Sequence, residues 1–453
     1  MGRMIEREKY QHLWDSDQQR RDEAKDILDI HDNQWRQQLV DQLSKNFAPQ
    51  NVPRILSKLD MSLNVLRWAS DTLAPHYSNG VVRSIEGNTE ADLSVYENGR
   101  ITDMTLDRAA RLLFSVREVL IRPILDEKSG NILFDVITPD ICSVIRDPDN
   151  PLHLKGLVYK TSQNKFVVWE EDDHKVFDEG WQEQMKEPDV PYSNDYGMIP
   201  FVLCHALFPE RGTWHHRDAD GLRSATLNLG LAKTDYNHKR HLQSHKQIIL
   251  TGVSEKGIGK KASSDPMYAI VLKDQGANAS VLDLQGDLGG HLDAIVQDAA
   301  QTLSLYGINP AVMRGNLDAS SGYALSIKLT DTQRVWKQQR QLWEVWEQML
   351  YDISRQVAQV DGSIALPEGQ LAFEWPDIGP ERDPNEDADY WLKLLNAGVV
   401  SVPEVRRHLF DESPEEFENY LNEKEEYTQR TSPIAPPTLP NPFTPNPQED
   451  VEA

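Results

Sequence analysis

DGLRSATLNLGLAKTDYNHKRHLQSHKQIILTG (residues 220–252) and GGHLDAIVQDAAQTLSLYGINP (289–310) enclose the part of the chain on which its reading turns. The first reads as one helix over 220–246 that runs into strand-like QIILTG. The second reads as a helix over 291–306, stopped by Gly307-Ile308-Asn309-Pro310. Between them lie a Gly/Lys-rich loop, VSEKGIGKKASSD (253–265), the strand-like MYAIVLK (267–273) and a Gly-rich stretch reaching Gly290. Two helices therefore flank a small β-containing insertion, expected to project from the body as a hairpin.

Upstream, residues 4–46 read as one polar helix with a thin apolar stripe, Leu28, Trp35, Leu39 and Leu43. A stripe this narrow predicts a surface position or contact with a neighbour rather than a core. Leu56, Leu59, Leu63, Leu66 and Leu73 predict a second helix ending near Pro75, and a third is expected from Leu106 to about Ile121. ILFDVI, HLKGLVYK, KFVVWEE and HKVF follow, short, β-branched or aromatic, and separated by turn residues. They predict an antiparallel meander closed by MIPFVLCHAL.

Downstream, Trp336, Trp343, Trp346, Leu350, Ile353, Val357 and Val360 keep a helical apolar spacing. The helix is expected over about 322–360, and three tryptophans on one stripe suit a broad protein surface better than a coiled-coil seam. A strand, LAFEWPD, follows. A helix over 388–395 stopped by Gly398, a capping box at Ser401–Glu404 and another at Ser413–Glu416 predict short helices. From Thr431 the text is Pro-rich and acidic, and is expected to be disordered or bound to a partner.

The 453 residues carry 47 Lys plus Arg against 72 Asp plus Glu, a net charge of −25. That balance argues against a protein that coats nucleic acid, which would be basic. Length suggests two to four domains. With no apolar run near ~18 residues, no transmembrane helix is expected. The charged start MGRMIEREKY is no secretory signal, and Glu6 stands where myristoylation would want Ser or Thr. Two cysteines, Cys142 and Cys204, are too few for a disulfide framework, so a soluble protein of a reducing compartment is expected.

Three constellations could carry chemistry. Trp214-His215-His216-Arg217-Asp218-Ala219-Asp220 offers two imidazoles and two carboxylates to a divalent metal, a hydrolase reading. The plainer reading is a polar loop with Asp218 or Asp220 as N-cap. His238, His241 and His245 share a helix face, but Lys239, Arg240 and Lys246 surround them and no acidic partner accompanies them. Gly257-Ile258-Gly259-Lys260-Lys261 lacks the Lys-Ser/Thr of a phosphate loop and the strand and helix of a dinucleotide fingerprint. From Leu231 to Lys273, however, eight basic residues stand against three acids. In a chain this acidic, that is either a solvated basic face or a contact for phosphate or an acidic partner. No nucleophile elbow, Cys/His pair or kinase signature occurs. No catalytic residue, resident metal or cofactor is expected.

The order of parts resembles the portal proteins of tailed bacteriophages, over roughly residues 50–425. AARLLFSVREVLIRPILDEKSGNILFDVITPDICSVIRDPDN (109–150) is similar to the portal wing. GMIPFVLC (197–204) resembles the strand before the first stem helix. In GINPAVMRGNLDASSGYALSIKL (307–329), Ser321, Gly322, Ala324 and Leu325 match a string of siphophage-type portals; the family's following Lys is Ser326 here, with Lys328 two places on. NAGVVSVPEV (396–405) is similar to a crown hairpin.

The resemblance implies an α+β, predominantly helical subunit of wing, stem, clip and crown in a ring, of twelve copies if the family's symmetry applies. It implies a helical wing region over 1–125, a β wing region over 126–214, a stem helix over 215–245 and a clip over 246–288. A second stem helix over 289–308, a tunnel loop over 309–322, a long wing helix and strand over 323–380, crown helices over 381–430 and the tail over 431–453 complete it. Arg314, Asn316, Asp318 and Ser320 would face double-stranded DNA in the channel, and Lys256, Lys260 and Lys261 would dock the packaging motor or an adaptor. Implied partners are the large terminase, head-completion or adaptor proteins, and the major capsid and scaffold proteins. The chain would be made in a host bacterial cytoplasm and reside at the portal vertex of a virion, not in a membrane. Two rival classes remain at this stage, the hydrolase built on His215, His216, Asp218 and Asp220, and a capsid adaptor that is not a portal.

Overall fold

In the computed structural model the polar N-terminal stretch is three helices rather than one: α1 (Arg7–Ser16), α2 (Gln18–His31) and α3 (Arg36–Asn46). The structure describes residues 6–46, 52–88, 90–150, 152–188, 190–208, 213–244, 247–251, 276, 278–282, 288–309, 330–376, 384–410 and 420. Asn33, in the left-handed region at φ 60°, turns the chain between α2 and α3. The turn lets Trp35, Leu39 and Leu43 join Ile27 and Ile30 in the main core, all essentially inaccessible. The expected surface helix is thus overturned. A stripe too thin for one straight helix becomes wide enough when the helix is broken and its pieces face the same core.

Two further expectations shift. The helix expected over 56–73 is α4 (Val52–Leu56) and α5 (Val65–Leu73), because Asp60 takes the Ser62 N–H at 3.0 Å in a local turn that competes with helix. Asn64 then caps α5 through the Arg67 N–H at 2.9 Å. The third helix is α7 (Ile101–Val116), preceded by β1 (Val82–Ile85) and the short α6 (Ser94–Glu97), neither of which was foreseen. It stops at Arg117 (φ 70°), and Glu118–Leu125, expected to be partly helical, is strand β2.

The strand-like texts are strands β3 (Ile132–Ile137), β5 (Leu154–Lys160), β6 (Phe166–Trp169), β7 (His174–Phe177) and β9 (Val202–His205), while β4 (Cys142–Arg146) and the short β8 (Glu183–Gln184) were not foreseen. They divide between two sheets instead of one meander. β4 to β8 form a five-stranded antiparallel meander, whereas β3 and β9 flank β2. Pro123 is accommodated because β9 pairs only with residues 118–121 of β2, leaving Pro123 on an edge.

The two helices of the central stretch are α8 (Asp220–Ser244) and α9 (Leu288–Leu305), packed on each other. The strands between them are β10 (Gln247–Thr251) and β11 (Asn278–Leu282), paired antiparallel. β11 comes from the stretch read as a Gly-rich linker, and MYAIVLK lies outside the described residues. The long helix is α10 (Thr330–Gly362), lying along β2 and β9. Trp343, Trp346, Leu350 and Val357 are buried, while Val360, at the end of the expected stripe, is 38% exposed. The Trp336 and Trp346 indoles donate to Thr72 O and His205 O, each at 3.1 Å, which makes burial of such large amphipathic rings favourable. β12 (Leu371–Glu374) pairs with β1.

The chain forms two compact units, Met1–Gly379 and Pro380–Ala453. In the second unit α11 (Pro384–Asn396) ends with Gly398 N–H donating to Leu395 O at 3.0 Å. α12 (Val402–Phe410) starts with one half of the expected capping box: Glu404 accepts from Ser401 N at 2.7 Å and from the Ser401 hydroxyl at 2.9 Å. The Ser413 box and the tail lie outside the described residues. The fold class is α+β.

One close approach gives a direct test of how α1 is held. The Tyr10 hydroxyl donates to Glu170 at 2.7 Å and sits only 1.9 Å from where a Cβ on Gly156 would stand. Tyr10 and Trp14 cover Phe166, Val168, Phe177 and Trp181 on the meander. Gly156→Ala should therefore push Tyr10 out and cost about 1–3 kcal/mol by overpacking. Faster proteolysis between α1 and α2, with a lower urea midpoint, is the expected readout; wild-type resistance would show α1 is held otherwise.

Candidate functional site

The β10–β11 strands stand on a base formed by α8 and α9, and that base is fastened to the body at several points. Along α8, Thr226 and Thr234 use their hydroxyls twice, donating back to Leu222 O and Gly230 O and accepting from Leu66 N and Asp60 N. Asp60 also takes Asn237 Nδ2 at 3.0 Å and lies 3.5 Å from Lys233, while Lys239 pairs with Asp235 at 2.6 Å. Two of the basic residues counted between 231 and 273 are thus matched by carboxylates. Arg240 is exposed.

The proposed motor-docking residues Lys256, Lys260 and Lys261 lie outside the described residues. So do Arg314, Asn316, Asp318 and Ser320 of the expected tunnel loop, and Ser321, Gly322, Ala324 and Leu325 of the matched string. What is described is how the ends of segment 310–329 are held. Gly307 has φ 85°, and a Cβ there would lie 2.7 Å from Val335 Cγ2. Its carbonyl accepts from Thr332 Oγ1 at 2.8 Å, so the chain leaves α9 and re-enters α10 at one place. Glycine is required for both the conformation and the approach.

The histidine–aspartate string does not converge. His216 Nε2 lies 3.0 Å from Glu23, whose carboxylate is also gripped by both arms of Arg217, and these bonds hold Glu23 down to about 2. The Asp218 carbonyl accepts from the Tyr306 hydroxyl at 2.8 Å, stitching the start of α8 to the end of α9. Asp220 is the first residue of α8, 3.8 Å from Arg223, and no side chain caps the short 3-10 turn His216–Ala219. The four residues share no ion site, and Asp220 stands inside the first turn of α8 rather than before it.

His215 alone turns elsewhere, toward Glu118 and His205. These open β2 and close β9 and face each other across the ladder. One ligand atom from each of the three lies within 4.8 Å of the others, the single such group among the described residues. The His215 N–H donates to Glu118 Oε1, and His205 Nδ1 is 3.9 Å from that oxygen. Burial, only partly offset by the His215 N–H and by Arg117 and Arg20, raises the Glu118 carboxyl to about 8. Burial, with Arg146 and His215 beside it, lowers His205 to about 3. Arg117 is itself buried, its guanidinium 5.0 Å from the Phe114 ring centroid and 5.5 Å from that of Tyr306. A Glu and a His that end apolar strands were the available signal in the sequence, and it was missed.

A surface groove of about 520 Å³ lies between α2, α5 and α7. Its charges largely pair off, Lys25 with Asp29 at 2.7 Å and Arg111 with Asp107 at 3.0 Å. Such a lining offers no convergent set to a ligand. Among the described residues no helix is long and apolar enough to cross a membrane.

No protein-family model and no curated protein matches the chain. Among solved structures it is similar to chains from gene transfer agent (GTA) particles: the neck of an empty particle computed with C6 symmetry, the virion of a native particle, and the neck of a native particle computed with C12 symmetry. In each case identity is 12% and the TM-score 0.43, over 80% of this chain and 94% of the other.

Proposed function

We propose that this chain is the subunit of a portal-type ring, a conduit through which double-stranded DNA enters and leaves a capsid at one vertex. The observation that most supports this reading is the element order around α8, β10, β11 and α9. A packed helix pair carries a small antiparallel β insertion, and a segment with pinned ends then leads into a long tryptophan-faced helix. The sequence resemblance assigns these parts to stem, clip, tunnel loop and wing. On this reading the work is mechanical: the clip docks the terminase during packaging and head-completion proteins afterwards, and the chain itself hydrolyses nothing. An acidic subunit suits a conduit, because like charge keeps phosphate from adhering to the wall.

Negative-stain electron microscopy with mass photometry on the purified chain is the test. Rings with a central bore and a mass near twelve or thirteen subunits are expected. A particle that stays monomeric or dimeric, with scaffold protein present as well, would count against the ring. Within the ring, Lys260→Glu with Lys261→Glu should impair DNA filling or adaptor docking, and unchanged filling and infectivity would remove the clip assignment.

A further inference from the structure

We propose that Glu118, His205 and His215 form a binding site for one divalent transition-metal ion, zinc in the first instance, which ties the base of α8 to the sheet. Three segments distant in sequence meet here, and each brings a buried polar atom that has no hydrogen-bond partner: Glu118 Oε2, His205 Nδ1 and His215 Nε2. The Glu118 side chain is 0% exposed and that of His205 2%. Leaving one such atom unsatisfied costs about 1–3 kcal/mol, so three at one point is an improbable accident of packing. A single cation within reach of all three satisfies them together.

The ligand chemistry selects the ion. Two imidazole nitrogens and one carboxylate oxygen suit Zn2+ and its neighbours, with one coordination position left over, and do not suit Mg2+ or Ca2+, which want oxygen. Arg117, Arg146 and Arg20 approach the cluster and weigh against any cation. Zinc gains on the order of 10 kcal/mol or more in structural sites, enough to outweigh that repulsion where a weakly held ion would fail.

The position gives the ion a structural role. Glu118 and His205 belong to β2 and β9, on which α10 lies, and His205 O receives the Trp346 indole. His215 immediately precedes the 3-10 turn that feeds α8, itself tied to Glu23 and Tyr306. A metal here adds a third fastening, between the hairpin's base and the sheet. The inference rests on these contacts and stands whether or not the chain forms a ring.

The test uses the full chain, stripped with chelator and titrated with Zn2+ by calorimetry, and with Co2+ followed by its visible absorption. One tight site per chain is expected, with a cobalt spectrum typical of a low-symmetry nitrogen/oxygen site and a rise in melting temperature at saturating Zn2+. His215→Ala, a change on a partly exposed loop residue, and Glu118→Gln, a near-isostere, should each weaken zinc by more than about 100-fold, beyond what an outer-shell change alone costs. His216→Ala should leave zinc affinity unchanged, because His216 is spent on Glu23. Absence of a tight site in the wild-type chain, or wild-type affinity in both His215→Ala and Glu118→Gln, would overturn the proposal and leave the cluster holding only protons or water.

Discussion

Replacing Glu347 with Ala should cost the fold about 3–5 kcal/mol, the range for removing one partner of a buried ion pair. Glu347 is fully buried in the middle of α10, between Trp346 and Leu350. One carboxylate oxygen takes the Arg83 Nε–H and the other takes the Tyr77 hydroxyl at 2.8 Å. Arg83, 2% exposed at its side chain, spends its remaining donors on Asp103 Oδ1 at 2.7 Å and Val81 O at 3.2 Å. The network therefore joins β1, the first turn of α7 and the middle of α10 around a single guanidinium. In Glu347→Ala that cation stays buried with Asp103, the Val81 carbonyl and the more distant Glu97 at 3.9 Å, and loses its one fully buried counter-charge.

Arg83→Met should be nearly as damaging, because it strands the Glu347 carboxylate in the same dry place. The double variant Arg83→Met/Glu347→Met should recover a large part of the loss, since two apolar side chains of similar volume need no solvation. Urea unfolding followed by tryptophan fluorescence reports on the site directly, with Trp343 5.4 Å from the Tyr77 ring. A single-variant loss below about 1 kcal/mol would place the pair among weakly contributing surface bridges instead.

This network also shows where a one-dimensional reading stops. Trp336, Trp343, Trp346, Leu350 and Val357 were legible because apolar side chains repeat with the helical period, and all five are buried or nearly so. Glu347 lies on the same face, four residues after Trp343, and periodicity has no means of naming a partner 264 residues away. The N-terminal helices failed for a related reason. Leu28 and Trp35 look like a thin stripe only if the axis is straight, and a single left-handed Asn33 redirects it. The two helices and the first strand of the central hairpin could be read because each announces itself locally, whereas β11 (Asn278–Leu282) falls in a stretch read as a Gly-rich linker. The Glu118–His205–His215 cluster could not, since it exists only through the β2–β9 register and a loop that returns to it. The string Trp214–Asp220 attracted attention through its composition, yet only His215 of its ionisable groups reaches that cluster.

Lowering the pH from 7.5 to 4.5 should remove several kcal/mol of stability well before most surface carboxylates are neutralised. His31, His76 and His174 are held neutral in the fold, burial and a neighbouring arginine lowering them to about 4, about 3 and about 4. The arginines are Arg67, Arg340 and Arg122; Asp32 and Asp71 pull His31 the other way, and Lys186 adds to the lowering at His174. The bonding at His31 explains why the neutral ring is the one that fits. Arg67 Nη1, a donor only, is 3.2 Å from His31 Nε2, so that nitrogen must accept. His31 Nδ1–H can then donate to Ser115 Oγ at 2.8 Å, whose own proton goes to Arg111 O at 3.1 Å. A second proton on the ring would point at a guanidinium.

The sign follows from which state binds the proton. In the unfolded chain these rings titrate near ~6.5 and in the fold well below it. Their contribution is therefore complete above that value and is lost progressively as pH falls toward the folded values. At about 1.4 kcal/mol for each pH unit and each ring, the combined loss is a large share of a typical ~5–15 kcal/mol stability. Glu118 has the opposite sign, its contribution full below the unfolded carboxylate range and fading as pH rises to about 8, and in the same window it is offset by its neighbour His205, lowered to about 3, so the three rings set the balance. Urea midpoints at pH 7.5, 6, 5 and 4.5 should fall steadily, and His31→Gln, which can still accept from Arg67 and donate to Ser115, should flatten the slope by one ring's share. A midpoint constant from pH 7 to 5 would mean that these imidazoles take up their protons without leaving the fold.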